Sequence, residues 1–545
     1  FPPEFAARYR AKGYWEDRSL ADQFAERFTR YADRVAVIDG DRVVTYAQLD
    51  AGSTRLALNL LDAGLRPLDR VVVQLPNVLE FAYLYFALQK IGCVPICALA
   101  THRYHEVSQF VALSGAVACV APDRLGDFDF RPMLERIRGE SPTLRHRIIL
   151  GEAPPGCLAL QDLIEQPSPR SPEELRRIQA AIDPTDPAVF QLSGGTTGVP
   201  KLIPRTHNDY IYNSKLAAQV TGVGPDSVLL LVLPIAHNLP LACPGLQGYI
   251  LHGGRVVLST STRARDVFAL VERHRVTHIP VVPALLIRWT NDPTIHEYDL
   301  SSLQVIQSGG QRLQPETRLR THELIPSAFV QENFGMAEGL LMFVRRDDPE
   351  DVRLETAGRP LSPDDEVRLV DDDDNEVAFG EVGELCCRGP YTLRGYYGVP
   401  EYNARAFTTD GFYRTGDLMR QHPSGNFIVE GRKKDLINRG GEKISAEEIE
   451  NLILGHPAVQ NVACIPMPDP VLGERMCACV ILRPGYTLTF DELVQYLLSK
   501  EIAKHKLPER LEVMEDFPTS TFGKVSKKVL VELVTQKLEA ERAHA

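Results

Sequence analysis

The feature that most constrains the fold is a repeated alternation of strand-like and helix-like segments. Short apolar runs, such as Val35 to Asp39 and Arg70 to Leu75, alternate with longer amphipathic segments, such as Tyr46 to Ala63, which Gly64 ends. Strands that alternate with crossover helices form parallel sheets. The pattern therefore predicts an α/β fold.

The same alternation continues beyond residue 300. It predicts further helices at Leu20 to Tyr31, Leu79 to Ile91 and Asp266 to His274. It predicts further strands at Ala188 to Leu192, Ser227 to Leu233, Gly253 to Leu258, His278 to Val282 and Leu303 to Ser308. The stretch from Pro154 to Arg176 holds several prolines and charges, and we expect it to be a surface connection.

The pattern changes at Glu366, where short strands separated by Gly and Asp turns begin. The predicted strands are Val367 to Val370, Gly383 to Arg388 and Gly425 to Val429. The acidic run Asp371 to Asp374 lies between the first two. It is typical of the solvated turn of a hairpin, and a metal site there is the minority interpretation.

A charged segment, Gly431 to Asp435, leads into a smaller final block. This block predicts helices at Ala446 to Leu454 and Phe490 to Lys500, strands at Val459 to Pro466 and Cys477 to Leu482, and a charged terminal helix. We therefore expect a large N-terminal body, residues 1–432, built of α/β subdomains and a β-rich subdomain. A small, mobile α+β domain, residues 433–545, follows it.

Composition narrows the class of protein. The 545 residues are too many for one core, and the net charge of −12 argues against nucleic-acid binding. The ten cysteines form no CxxC pair, which disfavours a zinc or disulfide framework. The first fifteen residues lack the apolar core of a signal peptide, and prolines interrupt the longest apolar run, Val228 to Leu251. We expect a cytoplasmic protein without a membrane span.

The loop from Leu192 to Lys201 carries the strongest chemical signal. Its residues are Leu192-Ser193-Gly194-Gly195-Thr196-Thr197-Gly198-Val199-Pro200-Lys201. Glycines allow close backbone approach, hydroxyls bond phosphate oxygens and the lysine supplies charge, so the loop predicts a polyphosphate site. Any three of these residues would be consistent with an ordinary turn. No Gly-Lys-Ser/Thr follows the glycines, so the loop is not a Walker motif.

Further stretches have chemistry that suits a nucleotide. Ser308-Gly309-Gly310-Gln311 ends a strand on a glycine pair, against which a flat ring could lie. Phe334-Gly335-Met336-Ala337-Glu338 offers a carboxylate, and a carboxylate beside a triphosphate usually holds Mg²⁺. Asp417 follows a turn, where it could accept hydrogen bonds from ribose hydroxyls. The stretch Pro518 to Lys528 sets Lys524 directly after a glycine.

Together, and in this order, these motifs resemble the adenylate-forming superfamily of acyl-CoA synthetases, luciferases and adenylation domains. The resemblance runs from about residue 20 to 535. Three stretches are similar to the stand-alone aryl-acid-activating enzymes of siderophore biosynthesis: Phe5 to Trp15, Pro204 to Tyr210 and Phe334 to Gly339.

The resemblance implies two half-reactions that use ATP and Mg²⁺. A carboxylate attacks the α-phosphorus of ATP to give an acyl adenylate and pyrophosphate. The acyl group then passes to a phosphopantetheine thiol on an aryl carrier protein. Lys524 is similar to the family lysine that stabilises the first transition state, and His237 and Glu338 join it as catalytic residues. Lys434 matches the family hinge, about which the small domain rotates.

The resemblance also implies the nucleotide contacts. The loop would hold the β- and γ-phosphates through Ser193, Gly194, Gly195, Thr196, Thr197, Gly198 and Lys201. Glu338 would bind Mg²⁺, and Asp417 the ribose. The remaining nucleotide-binding positions, of which the first four bracket the adenine, are Gly309, Gly310, Phe334, Gly335, Gln311, Met336 and Arg432.

The segment His237 to Gly245 predicts the acid. Amino-acid-activating relatives have an aspartate where this chain has Asn238, so an α-amino acid is disfavoured. Dihydroxybenzoate-activating relatives have a serine where this chain has Cys243. A 3-hydroxyl facing the sulfur would be partly unsatisfied, at a cost of about 1–3 kcal/mol. The chain thus resembles the salicylate–AMP ligases of the pyochelin type.

Two departures bear on that prediction. Leu239 stands where close relatives usually have an aromatic residue, and Asn333 stands where an apolar residue is common. With Ser308 and Lys524, they complete the expected acid site. A 2,3-dihydroxybenzoate–AMP ligase and an aryl-CoA ligase that uses free coenzyme A stay open as alternatives. A catalytically silent binding protein is disfavoured by the intact Lys201, Glu338, Asp417 and Lys524.

Overall fold

The computed structural model describes residues 1–193, 201–439, 442–469, 472–500, 502, 504–519 and 524–544. Within them, nine strands form the largest sheet, in the spatial order Arg359–Pro360, Leu341–Phe343, Phe329–Gly335, Val305–Gly309, His278–Val281, Val228–Leu231, Arg255–Leu258, Val35–Asp39 and Arg42–Thr45. Its central strands are parallel, and antiparallel strands are added at both edges.

A second sheet is also mainly parallel. Seven strands of the described chain form it, in the order Leu202–Thr206, Pro187–Leu192, Val94–Cys97, Arg70–Val73, Ala118–Pro122, His146–Leu150 and Leu158–Ala159. All neighbours are parallel except the first pair, which is an antiparallel hairpin. The predicted α/β class is confirmed.

Helices cover these sheets. In the body they are Pro3–Ala11, Leu20–Arg30, Tyr46–Asp62, Leu79–Lys90, Tyr104–Ser114, Arg131–Glu140, Leu160–Glu165, Pro172–Ala180, His207–Thr221, Asn238–Ala242, Gly245–Leu251, Ala264–His274, Pro283–Thr290, Pro315–Leu324, Glu350–Glu355 and Pro400–Ala406. The main core lies between the two sheets, where side chains such as Phe24, Leu56, Phe86 and Tyr210 bury apolar surface against both.

The stretch Pro154 to Arg176 lies mostly at the surface, as predicted, but the prediction that it is only a connection is wrong. This stretch contains the edge strand Leu158–Ala159 and the helix Leu160–Glu165, and a further helix begins at Pro172. Leu160 and Ile164 are buried in the main core, and Asn59 Nδ2 donates to the carbonyls of Leu163 and Gln166. Prolines at the first helical turn and between elements are compatible with this structure, because they replace no helix hydrogen bond there.

The predicted β-rich subdomain is a four-stranded antiparallel sheet, with the order Glu366–Val370, Gly383–Arg388, Tyr413–Gln421 and Phe427–Arg432. The acidic run forms the predicted hairpin turn, since Asp371 N donates to Asn375 O across 2.9 Å. Asp374 pairs with Arg414 across 2.6 Å.

The final block is the predicted α+β unit. Its sheet contains Glu442–Ser445, Leu436–Arg439, Gly473–Leu482, Val459–Asp469 and Arg510–Val513, and its helices are Ala446–Leu454, Phe490–Leu498 and Lys527–His544. Beside the connection, Lys433 Nζ lies 3.0 Å from Glu384 Oε2, and Ser445 Oγ donates to Glu430 O. Lys434 lies in the short 3₁₀ turn Lys433–Asp435. Its hinge role, and a boundary between residues 432 and 433, stay predictions.

The N-terminal segment ties the subdomains together in a way the sequence did not predict. Arg8 pairs with Glu366 across 3.1 Å, and Trp15 Nε1 donates to Pro390 O across 3.0 Å, both on the β-rich side. On the α/β side, Tyr14 stacks on Tyr212 at 4.7 Å between ring centroids. This segment therefore links the β-rich subdomain to the helix His207–Thr221.

Candidate active site

The glycine-rich loop joins the two strands of a hairpin. Leu192 pairs with Leu202, Ser193 N donates to Lys201 O across 3.0 Å, and Lys201 N donates to Ser193 Oγ across 2.9 Å. These bonds hold both ends of the loop together. The predicted phosphate-binding residues between them, Gly194, Gly195, Thr196, Thr197 and Gly198, lie outside the described residues.

Lys201 extends over aromatic rings at the loop end. Its Nζ lies 4.0 Å from the ring centroid of Tyr402 and 5.9 Å from that of Tyr396. Partial burial lowers the pKa of Lys201, and the nearby Glu338 carboxylate raises it. The Lys201 cation is thus held over the two rings, close enough to the predicted magnesium ligand Glu338 to sense its charge.

Glu338 is buried and held by a tyrosine pair. Tyr396 OH donates to Glu338 Oε1 across 2.7 Å, and the hydroxyls of Tyr396 and Tyr413 lie 2.8 Å apart. Burial raises the pKa of Glu338, while the hydrogen bond from Tyr396 lowers it. An isolated buried carboxylate gains free energy from a cation, so this position suits a metal ligand.

Asp417 lies on the strand Tyr413–Gln421, directly across from Arg432 on the next strand. The buried Asp417 Oδ1 is 2.8 Å from Arg432 Nε, and Asp417 N donates a hydrogen bond to Thr415 Oγ1 across 3.0 Å. Asp417 raises the pKa of Arg432 by its charge. Two predicted nucleotide residues are therefore brought together.

The predicted adenine residues lie at the ends of two parallel strands. Gly309 pairs with Asn333, and Phe334 and Gly335 follow on the same strand. Gly310 has a φ of +90°, which glycine adopts without strain. Gln311 is exposed and Met336 half-buried beside them. Ligands bind at the carboxyl ends of parallel strands in such sheets, which agrees with this placement.

Two of the predicted acid residues, Asn238 and Cys243, belong to a hydrogen-bonded cluster. Tyr210 OH donates to Asn238 Oδ1 across 2.8 Å, and Asn238 Nδ2 donates to Cys243 Sγ across 3.2 Å. Asn213 Nδ2 also donates to Cys243 Sγ, across 3.5 Å. Burial raises the pKa of Cys243 to about 11, so it is a neutral thiol. The sulfur already accepts two amide hydrogens and has little capacity left for a ligand hydroxyl.

Three further predicted acid residues are Leu239, Ser308 and Asn333. Leu239 is half-buried and packs against the apolar group that contains Cys243. Ser308 and Asn333 are buried, and neither Ser308 Oγ nor Asn333 Nδ2 has a hydrogen-bond partner among the described residues. They lie on adjacent strands of the large sheet.

Lys524 lies close enough to His237 to affect its titration. Burial, and then the positive charge of Lys524, lower the pKa of His237 to about 3. His237 is therefore neutral at ordinary pH, and it precedes the helix Asn238–Ala242. Lys524 and His237, two of the predicted catalytic residues, therefore interact electrostatically.

Sequence reasoning missed the residues that support these groups. Arg205 is buried, pairs with Asp209 across 2.8 Å, and donates to the carbonyls of Ala337 and Tyr391. It therefore fixes the backbone next to Glu338. Arg205 and Tyr210 lie in the stretch Pro204 to Tyr210, but the sequence alone predicts no role for them or for Tyr396, because their partners are distant in the chain.

Comparison with known proteins agrees with this geometry. The family profile described as AMP-binding enzyme matches residues 24–397, and its C-terminal domain profile matches residues 448–524. A salicylyl-CoA synthase / salicylate adenylyltransferase from Streptomyces is 45% identical, covering 100% of this chain and 98% of the relative. A 2,3-dihydroxybenzoate-AMP ligase from Bacillus subtilis is 44% identical, covering 99% and 98%.

Two mycobacterial proteins add to this. A salicyl-AMP ligase / salicyl-S-ArCP synthetase from Mycobacterium tuberculosis is 42% identical, covering 100% of this chain and 96% of the relative. The apo structure of MbtA from Mycobacterium smegmatis superposes with a TM-score of 0.74 at 40% identity, covering 98% of each chain. The resemblance inferred from the motifs is confirmed. This chain belongs to the AMP-binding enzyme family and is an ATP-dependent, adenylate-forming ligase.

Proposed function

We propose that this enzyme activates salicylate to salicyl-AMP, with release of pyrophosphate, and then transfers the acyl group to the phosphopantetheine thiol of an aryl carrier protein in siderophore biosynthesis. The observation that carries the proposal is the neutral pair of Asn238 and Cys243, held 3.2 Å apart in a buried cluster. The neutral amide of Asn238 carries no charge for the ammonium of an amino acid, whereas an amide hydrogen suits a carboxylate or a phenolic oxygen.

The acid is discriminated at Cys243. Its sulfur accepts from Asn213 and Asn238 and is a poor donor, so a 3-hydroxyl placed against it would lose hydrogen bonds it had in water. Salicylate has no 3-hydroxyl. The named relatives act on both acids at nearly equal identity, so overall similarity does not choose between them. The chemistry of this one side chain favours salicylate.

The nucleotide is held by residues on both sides of the loop. Lys201 and the loop N–H groups suit the β- and γ-phosphates, Asp417 the ribose hydroxyls, and Gly309 with Phe334 the adenine. Glu338 fits Mg²⁺, because Mg²⁺ favours one or two carboxylates together with substrate phosphates. When bound, the metal would balance phosphate charge. Tyr396 keeps Glu338 oriented and favours its ionised form.

The first half-reaction requires two anions to meet. The salicylate oxygen bonds to the α-phosphorus, and the bond from that phosphorus to the pyrophosphate oxygen breaks. Lys524 supplies the positive charge that stabilises this transition state. His237 stays neutral beside it, so it adds no repulsion to Lys524 and can offer one ring nitrogen as a donor.

In the second half-reaction the thiol sulfur attacks the acyl carbon, and AMP leaves. Lys524 must then move away, and rotation of residues 433–545 about Lys434 would provide that movement. The family resemblance also implies that Gly440 and Gly441 would then face the thiol, and both lie outside the described residues.

The nature of the acceptor separates this proposal from its main alternative. One relative is named a salicylyl-CoA synthase, which favours free coenzyme A as a second candidate. Another is named a salicyl-S-ArCP synthetase, which supports the carrier protein. We would incubate the enzyme with ATP and ¹⁴C-salicylate, and supply either a phosphopantetheinylated aryl carrier protein or coenzyme A. Thioester on the carrier protein is expected. Thioester on coenzyme A alone would contradict the carrier-protein step.

A further inference from the structure

The side-chain amide of Asn333 differs from the buried amides of Gln307 and Gln331 in the same sheet, because its nitrogen has no partner among the described residues. The side chain is 5% exposed, and its Nδ2 has no hydrogen-bond partner among the described residues. A buried amide nitrogen without a partner costs free energy, and native proteins rarely contain one without a reason. The position is therefore prepared for a hydrogen-bond acceptor that the described part of the chain does not supply.

Neighbouring buried amides on the same strands do have partners. Gln307 Nε2 donates to Gln331 Oε1 across 3.3 Å, and Thr221 Oγ1 donates to the same oxygen across 3.1 Å. Gln331 Nε2 in turn donates to Val344 O across 3.1 Å. This part of the interior satisfies its amides through the protein, so the unpartnered nitrogen of Asn333 is a local feature.

Asn333 borders the acid site. It lies opposite Gly309 on the neighbouring strand. A Cβ atom on Gly309 would overlap Asn333 Oδ1 and would lie 3.5 Å from Leu239 Cδ2. Asn333 and Leu239 therefore lie on the same side of Gly309, which has no room for a side chain, and Leu239 directly follows Asn238. Leu239 is also smaller than an aromatic residue, which widens this side of the site.

We infer that the preferred acid is a salicylate that carries one further hydrogen-bond acceptor on the ring edge facing Asn333. The acceptor is either a ring nitrogen or an oxygen substituent, and it is not a 3-hydroxyl, because that position meets Cys243. This inference rests on the proposed function and refines its substrate. Binding such an acid would satisfy the Asn333 amide, whereas salicylate would bury it again without a partner.

The test is ATP–pyrophosphate exchange with a matched panel of acids. One arm compares salicylate with the two pyridine analogues in which a ring nitrogen replaces the C–H at position 4 or 6, because a nitrogen meta to the hydroxyl keeps its lone pair as an acceptor. The other arm uses 2,4-, 2,5- and 2,6-dihydroxybenzoate, which distinguishes an oxygen acceptor from a ring nitrogen. Each acid is measured with the wild type, with Asn333→Leu and with Asn59→Leu. Asn59 is a similarly buried amide whose nitrogen bonds two backbone carbonyls far from the acid site.

The wild type is expected to use at least one acceptor-bearing acid with a kcat/KM about tenfold above that of salicylate. Asn333→Leu should reverse this order, and Asn59→Leu should keep it. If salicylate has the highest kcat/KM of the panel in the wild type, this inference alone is overturned. The same holds if Asn333→Leu leaves the ranking of the acids unchanged, or if Asn59→Leu also abolishes that ranking. Exchange with none of the acids would overturn the proposed function itself.

Discussion

The hydroxyl of Tyr210 donates a hydrogen bond to Asn238 Oδ1 across 2.8 Å, although the two residues belong to different helices. Burial raises the pKa of Tyr210 well above its ordinary value, so the hydroxyl stays a donor. Because Oδ1 is occupied, the orientation of the amide is fixed and Nδ2 is directed to Cys243. The Tyr210 side chain therefore orients the group that we propose binds the acid.

Tyr210→Phe should weaken binding of the acid more than binding of ATP. The loss of one buried hydrogen bond, worth about 0.5–1.5 kcal/mol, frees the Asn238 amide and predicts a 2- to 13-fold rise in KM for salicylate. The control is Tyr212→Phe on the same helix, because the Tyr212 hydroxyl bonds Ser362 instead. Steady-state kinetics with each substrate varied check this. Equal effects of both variants on KM for salicylate would argue against an orienting role for Tyr210.

Cys243→Ser should shift preference toward 2,3-dihydroxybenzoate. A serine hydroxyl donates to the 3-hydroxyl, and relief of about 1–3 kcal/mol corresponds to a gain of roughly 5- to 150-fold in relative kcat/KM. The measurement is exchange with both acids in competition. The control is Cys119→Ser, which should leave the ratio unaltered. Cys119 is also buried, but it lies on the strand Ala118–Pro122 of the seven-stranded sheet. An unchanged ratio in Cys243→Ser would exclude the sulfur as the discriminating group.

Tyr396→Phe should move the acid limb of the pH–rate profile to higher pH. The hydrogen bond from Tyr396 lowers the pKa of Glu338, so its loss leaves the effect of burial uncompensated and raises that pKa. The ionised carboxylate needed for Mg²⁺ then forms only at higher pH, and more Mg²⁺ is required at a given pH. Exchange rates against pH and Mg²⁺ test this, with the exposed neighbour Tyr397→Phe as the control. Identical pH–rate profiles for the wild type and Tyr396→Phe would refute the claim that the Tyr396 hydrogen bond lowers the pKa of Glu338.

Asp365 predicts a pH-dependent stability. Burial raises its pKa to about 7, although Tyr391 OH donates to Oδ2 across 2.5 Å. The Asp365 carboxyl thus keeps its proton up to about pH 7 in the folded state, whereas in the unfolded chain it releases the proton near pH 4. The stability that this proton contributes is fully present below pH 4, and it is lost as the pH rises from 4 through 7. At about 1.36 kcal/mol per pH unit, the loss approaches 4 kcal/mol.

Asp365→Asn removes this titration. The Tm of the variant should therefore rise relative to wild type between pH 5 and pH 8, measured by scanning calorimetry in matched ionic strength. Asp33→Asn, an exposed aspartate, should keep a constant offset at both pH values. A constant offset for Asp365→Asn would show that this carboxylate is already ionised in the fold at pH 5.

Local patterns predicted most of the fold. The strand Val35–Asp39 and the helix Ala446–Leu454 were predicted to the residue, because each combines strong periodicity with clear end signals. The Pro154 to Arg176 stretch was mispredicted because proline has one meaning in a loop and another at the start of a helix. Only packing of the segment against the core shows whether a proline stands in a loop or at the start of a helix.

The site was predicted less completely, for a physical reason. Motifs indicated Lys201, Asn238, Glu338 and Asp417, because phosphate, aryl and ribose chemistry limits the residue types that can serve there. Their supports are pairs distant in sequence, such as Tyr396 with Glu338 and Arg205 with the Tyr391 carbonyl. Such pairs leave no local pattern. The unpartnered amide of Asn333 likewise needs coordinates to be recognised.

The central claim is that this chain adenylates salicylate by means of Lys524, and salicylate-dependent ATP–pyrophosphate exchange tests it most directly. The wild type should exchange with salicylate at a kcat/KM at least about tenfold above that for 2,3-dihydroxybenzoate, and Lys524→Ala should lower kcat by about 10²–10³ while still binding ATP. Exchange that is absent with salicylate, that prefers 2,3-dihydroxybenzoate, or that persists at the wild-type rate in Lys524→Ala would contradict the account.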